Sequence, residues 1–193
     1  MDVSRDARVA LADAVALWRL LDGTAASDLI EAATQALVEG LDSPTLRELA
    51  GASPKASWFV LNPVIEQTLE ELGMSDLLRG SAQQAALGAM ARRFEAGTVS
   101  GRELARWAHL NIGHDGDPEC QPFVELDDMY DIAEYVGYTE EQLDGWTAEE
   151  AEAFLTGRPS PGRADWRAVQ ASPQNPAPPP RFNRIRALLH RTR

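Results

Sequence analysis

Apolar residues recur along most of the chain with the three- and four-residue spacing of an amphipathic helix. One apolar face starts with Val9 and Trp18, and similar faces occur in segments 63–72 and 101–112. Runs of β-branched and aromatic residues with two-residue alternation are missing, so the sequence predicts no sheet. We therefore expect an all-α protein. The predicted helices span residues 5–21, 27–39, 44–50, 63–72, 82–96, 101–112, 123–136, 140–145 and 148–156.

Capping residues mark the ends of these predicted helices. A hydroxyl side chain followed three residues later by an acid or amide forms a capping box, in which each side chain bonds to the backbone N–H of the other residue. A proline directly after an N-cap residue fits the first helical position. The capping pairs are Ser100 and Glu103, Thr139 and Gln142, and Thr147 and Glu150, and the N-cap–proline pairs are Ser43-Pro44 and Asn62-Pro63.

The helical pattern breaks near residues 75–81, which divides an N-terminal unit (1–73) from a second, acidic unit (81–157). Each unit by itself is small for a stable core, so we expect the two to pack together as a compact bundle of eight to nine short helices. Seven of the 12 prolines lie beyond Gly157, which predicts an extended linker over 158–180. Residues 181–193 then combine apolar residues at helical spacing with arginines, which predicts a basic amphipathic tail helix.

Composition excludes several classes of protein. No apolar run approaches the length of a membrane span, and the N-terminal residues lack a signal-peptide core, so we expect a cytoplasmic protein. The single cysteine, Cys120, excludes an internal disulfide and a four-cysteine zinc site. Basic residues are almost all arginine, with Lys55 the one lysine, which is typical of GC-rich bacterial genes.

Charge is strongly segregated along the chain, whose net charge is −12. Residues 107–157 contain 14 Asp and Glu and no Lys or Arg, whereas residues 158–193 contain eight Arg and one acid. Like charges this dense repel one another, so something favourable should offset the repulsion. We expect a basic protein partner that binds the region 115–152. The alternatives are a solvated face without a partner and the chain's own basic tail folding back on this face, from which a partner would displace it.

In the predicted helix 123–136, Asp127, Asp131 and Glu134 lie on one stripe, and Asp128 lies beside it. Three carboxylates on one helical face can bind Mg²⁺. The sequence Leu126-Asp127-Asp128-Met129-Tyr130-Asp131 resembles the aspartate-rich metal motif of terpene synthases, an all-α family that ionises prenyl diphosphates. The resemblance implies an alternative function, a Mg²⁺-dependent enzyme with a diphosphate substrate in which Asp127, Asp128 and Asp131 bind the metal. The sequence offers no counterpart of that family's second metal motif.

Two histidines suggest a different metal. His109 lies on a predicted helix and His114 just after it, and together with a nearby aspartate or Cys120 they form a possible Zn²⁺ set. The same residues also fit ordinary turn chemistry at a helix end, which is the interpretation we favour. A Cys120–His114 nucleophile and base is opposed by the acidic surroundings, which raise the pKa of a thiol. We therefore predict no catalytic residue and no cofactor.

Tyrosines are interleaved with the acidic residues that follow the sequence His114-x-Gly116-Asp117. This composition is similar to that of the acidic, all-helical immunity proteins that neutralise nuclease bacteriocins. The resemblance implies a non-enzymatic inhibitor that meets a basic partner with an acidic helix and exposed tyrosines. We place Tyr130 in the core, and Tyr135 and Tyr138 at the surface. The predicted partner-binding residues are Asp127, Asp128, Asp131, Glu134, Tyr135 and Tyr138.

Direct DNA binding is not expected. Residues 45–53 resemble the first helix and turn of a helix-turn-helix, but segment 58–66 is apolar and carries no Arg or Lys, which predicts core. The net negative charge also repels phosphate. The sequence therefore predicts an all-α interaction protein, with an immunity- or antitoxin-like inhibitor as its most specific form. A regulatory or scaffold subunit that docks through its C-terminal helix is a further alternative.

Overall fold

The computed structural model describes residues 3–21, 26–78 and 80–161. Within these residues the chain is all-α, as predicted, with eight helices and no strand. The predicted tail helix 181–193 and most of the linker 158–180 lie outside the described residues. The helices are α1 (Val3–Leu20), α2 (Ala26–Val38), α3 (Pro44–Ala50), α4 (Trp58–Glu71), α5 (Ala82–Glu95), α6 (Gly101–Asn111), α7 (Gln121–Val136) and α8 (Glu140–Thr156), and two 3-10 turns span Ser75–Leu78 and Pro118–Cys120.

The first four helices enclose one apolar core. Helix α1 packs on α2, α2 on α3 and α3 on α4, so that the apolar stripe of each helix faces its neighbours. Trp18 of α1 is fully buried there and stacks on Trp58, with 5.7 Å between the ring centroids. The largest fully buried side chains of this core are Leu11, Trp18, Leu29, Leu46, Leu49, Leu61, Ile65 and Leu69.

Helix α1 also contributes to the core of the second half. Leu17 belongs to the cluster formed by α5 to α8, one residue before Trp18 in the first core. Nε of Arg92 on α5 lies 3.0 Å from both carboxylate oxygens of Asp13 on α1, which adds a partly buried ion pair to the contact. The predicted break coincides with the 3-10 turn Ser75–Leu78, but α1 packs on both sides of it.

Helix α4 begins earlier than the sequence predicts. The Asn62-Pro63 pair does not start this helix, because α4 begins at Trp58 and contains Pro63. Stacking of Trp58 on Trp18 fixes the first turn, and a proline so close to the N-terminus removes a single backbone hydrogen bond. Leu61 is buried as predicted, but Phe59 is 87% exposed and Val60 60% exposed, so the prediction that these two residues belong to the core is wrong.

Helix α8 is one helix where the sequence predicts two. The expected capping box at Thr147 is wrong, because the Thr147 hydroxyl donates to the Leu143 carbonyl within the helix, at 2.9 Å. Glu150 is buried and accepts a hydrogen bond from the Ser160 hydroxyl at 2.8 Å. The capping boxes at Ser100 and Thr139 are both confirmed.

Helices α6 and α7 run antiparallel and position the site described next. Arg102 near the start of α6 lies beside Asp131, and His109 near the end of α6 lies beside Asp127. Helix α8 packs across both of them. The apolar surface that stays exposed is scattered, and no helix in the described part is both long and apolar enough to cross a bilayer.

Candidate functional site

The acidic residues of the second half form an exposed surface on α7, α8 and the loop before α7. Ten of the 14 acids between residues 107 and 157 are exposed. We call these ten the acidic surface. They are Asp115, Glu119, Asp128, Asp131, Glu134, Glu140, Glu141, Asp144, Glu149 and Glu152.

Among the described residues, two arginines form ion pairs with this surface. Nη2 of Arg102 lies 3.4 Å from Oδ1 of Asp131, and its guanidinium group sits 5.8 Å from the centroid of the Tyr130 ring. Nη2 of Arg158 lies 2.9 Å from Oε1 of Glu152. Both pairs are exposed, and such pairs contribute little to stability. Most of the negative charge therefore stays available to an external cation.

An exposed aromatic residue stands among these acids. Tyr135 is 80% exposed on α7, as predicted, and Ile132 beside it is 47% exposed. Asp131 and Glu134 flank them and are also exposed. This stretch of α7 therefore combines negative charge with an exposed aromatic ring and an exposed aliphatic side chain.

The prediction that Tyr138 is exposed is wrong. Gly137 ends α7 with a φ of 84°, which turns the chain so that the ring of Tyr138 folds inward. The ring is 7% exposed and meets Trp146 of α8 edge-on, with 5.0 Å between the centroids. Tyr138 thus belongs to the contact between α7 and α8, which leaves Tyr135 as the exposed tyrosine of α7.

Tyr130 lies in the core, as predicted, and connects α7 to α8. Its hydroxyl donates to Oδ1 of Asp144 at 2.6 Å and lies 3.3 Å from the Thr147 hydroxyl. Burial raises the pKa of the Tyr130 phenol, and the bond to Asp144 raises it further. The phenol therefore stays protonated and acts as a structural donor.

Four side chains from α6, α7 and the loop between them meet at one point, which we call the His–Asp cluster. Nδ1 of His109 lies 2.9 Å from Oδ2 of Asp127 and 3.6 Å from Oδ1 of Asp128. Nε2 of His114 lies 3.5 Å from Oδ2 of Asp128. The two imidazole rings meet edge-on, with 4.9 Å between their centroids. The cluster is half-exposed, since Asp127 is largely covered and His114 largely open.

Local structure explains why the two histidines meet. Helix α6 ends near Asn111, and Gly113 takes a φ of 70°, a left-handed conformation that reverses the chain at low cost only for glycine. His114 follows directly and returns alongside His109 in the last turn of α6. The amide of Gln121 donates to the Gly113 carbonyl at 3.0 Å and fixes this turn against the start of α7.

Asp117 ties the same loop to α5. Its backbone N–H donates to Oε1 of Gln83 at 2.6 Å, and its carboxylate accepts from Nε2 of Gln84 at 2.9 Å and from the N–H of Glu119 at 3.1 Å. The hydrogen bond from Gln84 is the main cause that lowers the pKa of Asp117. Asp117 is thereby occupied in holding the loop and does not belong to the His–Asp cluster.

The cluster combines two sets that the sequence suggested separately. Its metal-ligating group is His109, His114 and Asp128, whose ligand atoms all lie within 4.8 Å of one another. Within the described ranges, Asp127, Asp128 and Asp131 do not form such a group, and Asp131 lies beside Arg102 instead. The sequence does not predict this cluster, because the cluster depends on the antiparallel register of α6 and α7. No spacing along the chain places residue 109 beside residue 128.

Cys120 lies outside this cluster and is fully buried. Burial raises the pKa of its thiol to about 12, and the charges of Asp117 and Glu119 add to the shift. The raised pKa agrees with the expectation that the acidic residues around Cys120 raise the pKa of its thiol. A thiol of this kind is a poor nucleophile at neutral pH.

A cavity of about 750 Å³ lies between α5, α8 and the two 3-10 turns. Its lining combines the rings of Phe123 and Phe154 with two arginines. Arg92 is paired with Asp13, and Arg158 with Glu152, so neither guanidinium group is a free ligand for an anion. The lining also includes the buried Glu150 and the Ser160 hydroxyl that donates to it.

Comparison with known proteins gave no match among family models, curated proteins or solved structures. The likeness to terpene synthases and to immunity proteins therefore rests on the short motifs alone. The tail helix that two of the alternatives require lies outside the described residues.

Proposed function

We propose that this protein is a non-enzymatic interaction protein that binds a basic protein partner through the acidic surface, centred on α7. The observation that carries the proposal is the exposed Tyr135, which stands among exposed carboxylates that few arginines approach. An immunity- or antitoxin-like inhibitor of a basic target is its most specific form.

The energetic reason lies in the repulsion along α7. Asp127 and Asp131 are four residues apart, and Asp128 and Asp131 three, so these carboxylates are neighbours on the helix surface. Each like-charge pair of this kind costs about 0.2–0.5 kcal/mol. A partner that brings Lys or Arg to this surface relieves the repulsion. Relief of the repulsion therefore makes the free energy of binding more favourable.

Tyr135 supplies the apolar contact area that the charged residues do not provide. Tyrosine is enriched among the residues that dominate binding energies at interfaces, because it buries a large rigid ring and keeps a polar end. Ile132, also exposed, extends the apolar area beside it. We therefore retain Asp128, Asp131, Glu134 and Tyr135 as contact residues, remove Tyr138, and assign Asp127 mainly to the His–Asp cluster.

Charge should act chiefly on the rate and specificity of association. A single-sign patch attracts an oppositely charged partner over a Debye length of about 8–10 Å at physiological salt, and added salt weakens that attraction. The proposal therefore predicts binding that is fast at low salt and lost at high salt. Truncating Tyr135 should instead accelerate dissociation.

The test is affinity capture from a native lysate at low and high salt, followed by measurement of association rates with the captured protein. Wild type is compared with Asp131→Asn/Glu134→Gln and with Tyr135→Ala. The matched control is Glu31→Gln/Glu70→Gln, which removes the same charge from exposed positions on α2 and α4.

The expected result is one stoichiometric basic protein that the control retains and the two α7 variants lose, by about tenfold or more in affinity. Equal capture by the α7 variants and the control contradicts the proposal, as does the absence of any partner at low salt. The Mg²⁺-dependent enzyme stays the alternative hypothesis, although Asp131 of its motif is beside Arg102.

A further inference from the structure

We propose that His109, His114 and Asp128, with Asp127 beside His109, bind a divalent transition-metal ion of the Zn²⁺ class. The site lies on the acidic surface but does not depend on the proposed partner. It is built from three separate parts of the chain: the last turn of α6, the loop after Gly113, and the second turn of α7.

The separations between the donor atoms are close to those of a zinc site. Zinc binds imidazole nitrogen and carboxylate oxygen at about 2.0–2.2 Å in tetrahedral geometry, which places neighbouring ligand atoms about 3.3–3.5 Å apart. The two imidazole nitrogens lie 3.6 Å and 3.5 Å from the oxygens of Asp128. These two contacts use different oxygens of Asp128, and one ligand atom from each of the three residues lies within 4.8 Å of the others, so closing the set around one ion requires side-chain rotations that shorten these separations.

A second observation concerns Nδ1 of His109. This nitrogen is buried and makes no hydrogen bond of acceptable geometry within the described residues, although Oδ2 of Asp127 is 2.9 Å away. Buried polar atoms are nearly always satisfied, so an unsatisfied one requires an explanation. A metal ion coordinated by Nδ1 satisfies it, and Asp127, which lies outside the group of mutually close ligand atoms, adds negative charge beside His109.

The electrostatics of the surroundings favour a cation. His109 lies in the last turn of α6, where the helix presents the negative end of its dipole. Lysine and arginine are missing from residues 107–157, and exposed Asp115 lies in the same loop. A divalent ion here is attracted by several carboxylates that lie close to one another.

The donor set determines which metals fit. Imidazole suits Zn²⁺, Co²⁺, Ni²⁺ and Cu²⁺, whereas Mg²⁺ and Ca²⁺ prefer sites made entirely of oxygen. The side chain of His114 is 57% exposed and that of Asp128 48%, so an ion can reach the site from solvent without unfolding of the chain. The proposal therefore differs from the Mg²⁺ site that the aspartate-rich motif implies, both in its ligands and in its metal.

The competing explanation is an ion-pair cluster, in which charged histidines are held by Asp127 and Asp128 without any metal. The test uses the full chain after treatment with a chelator, titrated with Zn²⁺ in a calorimeter and with Co²⁺ by visible absorption. The variants are His114→Gln and Asp128→Asn. The controls are Asp131→Asn, which removes the same charge one turn along α7, and His190→Gln, which removes a histidine elsewhere in the chain.

We expect one Zn²⁺ per wild-type chain, Co²⁺ absorption typical of low coordination number, and no competition from excess Mg²⁺. Affinity should fall about tenfold or more in His114→Gln and Asp128→Asn and stay within about twofold in both controls. Circular dichroism of each metal-free variant separates loss of binding from loss of fold. Absence of saturable one-to-one binding, undiminished affinity in His114→Gln, or Mg²⁺ binding equal to that of Zn²⁺ would overturn the proposal. None of these results bears on whether the partner proposal fails.

Discussion

At the scale of single residues, Gly101 shows how tightly α6 approaches its neighbours. A Cβ atom added at this position would lie 2.8 Å from Oη of Tyr130 and 2.9 Å from Oδ1 of Asp144. Both atoms belong to the hydrogen-bonded contact between α7 and α8, which has little freedom to move. The absence of a side chain at Gly101 is therefore what allows the first turn of α6 to pack there.

Substitution of Gly101 should accordingly destabilise the fold. We expect Gly101→Ala to lower the free energy of unfolding by about 1–3 kcal/mol through overpacking, measured by urea denaturation. Gly145→Ala is the matched control, since this glycine lies inside α8 with nothing within 4 Å of the added Cβ. Alanine at 145 should stabilise α8, by up to about 1 kcal/mol. Changes of the same sign in the two variants would contradict this account.

At the scale of elements, the loop between α6 and α7 depends on its bond to α5. Asp117 caps the 3-10 turn Pro118–Cys120 and accepts a hydrogen bond from Gln84, while its own N–H reaches Gln83. The loop carries His114, so its attachment to α5 also determines where one half of the His–Asp cluster stands. Attachment through backbone and side chain together gives this irregular segment a defined position.

Removal of the Asp117 carboxylate should weaken this attachment. We expect Asp117→Ala to cost about 1–2 kcal/mol at neutral pH, measured by urea denaturation. Because the folded-state pKa of Asp117 lies below its ordinary value of 3.8, its stabilising contribution is complete above that pH and disappears as the pH falls through the folded-state pKa. The difference from wild type should therefore shrink in acid. Asp115→Ala, an exposed neighbour, serves as the control, and a pH-independent difference would contradict the assigned role.

Individual helices also show which features of the fold the sequence predicts and which it does not. Helical periodicity and the capping boxes at Ser100 and Thr139 predict the class of fold and several helix ends, because these signals are local. Thr147 and Asn62 match the same local signals, but neither residue starts a helix. Helix α4 begins earlier, at Trp58, which stacks on Trp18, and the Thr147 hydroxyl bonds to the Leu143 carbonyl inside α8. The His–Asp cluster depends on the register between α6 and α7, which no local pattern encodes.

At the scale of the whole molecule, the chain after residue 106 keeps its negative and positive charges in separate segments. Residues 107–157 hold 14 acids without Lys or Arg, and eight arginines follow in residues 158–193. Two such segments joined in one chain are present to each other at a high effective concentration. If the proposed function holds, the tail competes with the partner for the acidic surface.

Truncation of the tail should therefore tighten binding of the basic partner. The truncation begins after residue 161, because the Ser160 hydroxyl bonds to the buried Glu150. We expect the affinity for the partner to rise several-fold, measured by calorimetry at low salt. Arg181→Gln/Arg184→Gln/Arg186→Gln in the full chain should reproduce much of the gain, since it removes charge without removing length. Unchanged affinity in both proteins would exclude autoinhibition by the tail.

The position of α1 has a consequence for how the protein comes apart. Leu17 and Trp18 are adjacent in sequence, yet one is buried in each of the two cores. Detachment of this one helix therefore exposes both cores to water at once, so neither half can open by itself through loss of α1. Loss of α1 thus couples the opening of the first four helices to that of the second core, in which Phe123 and Val124 at the start of α7 are buried.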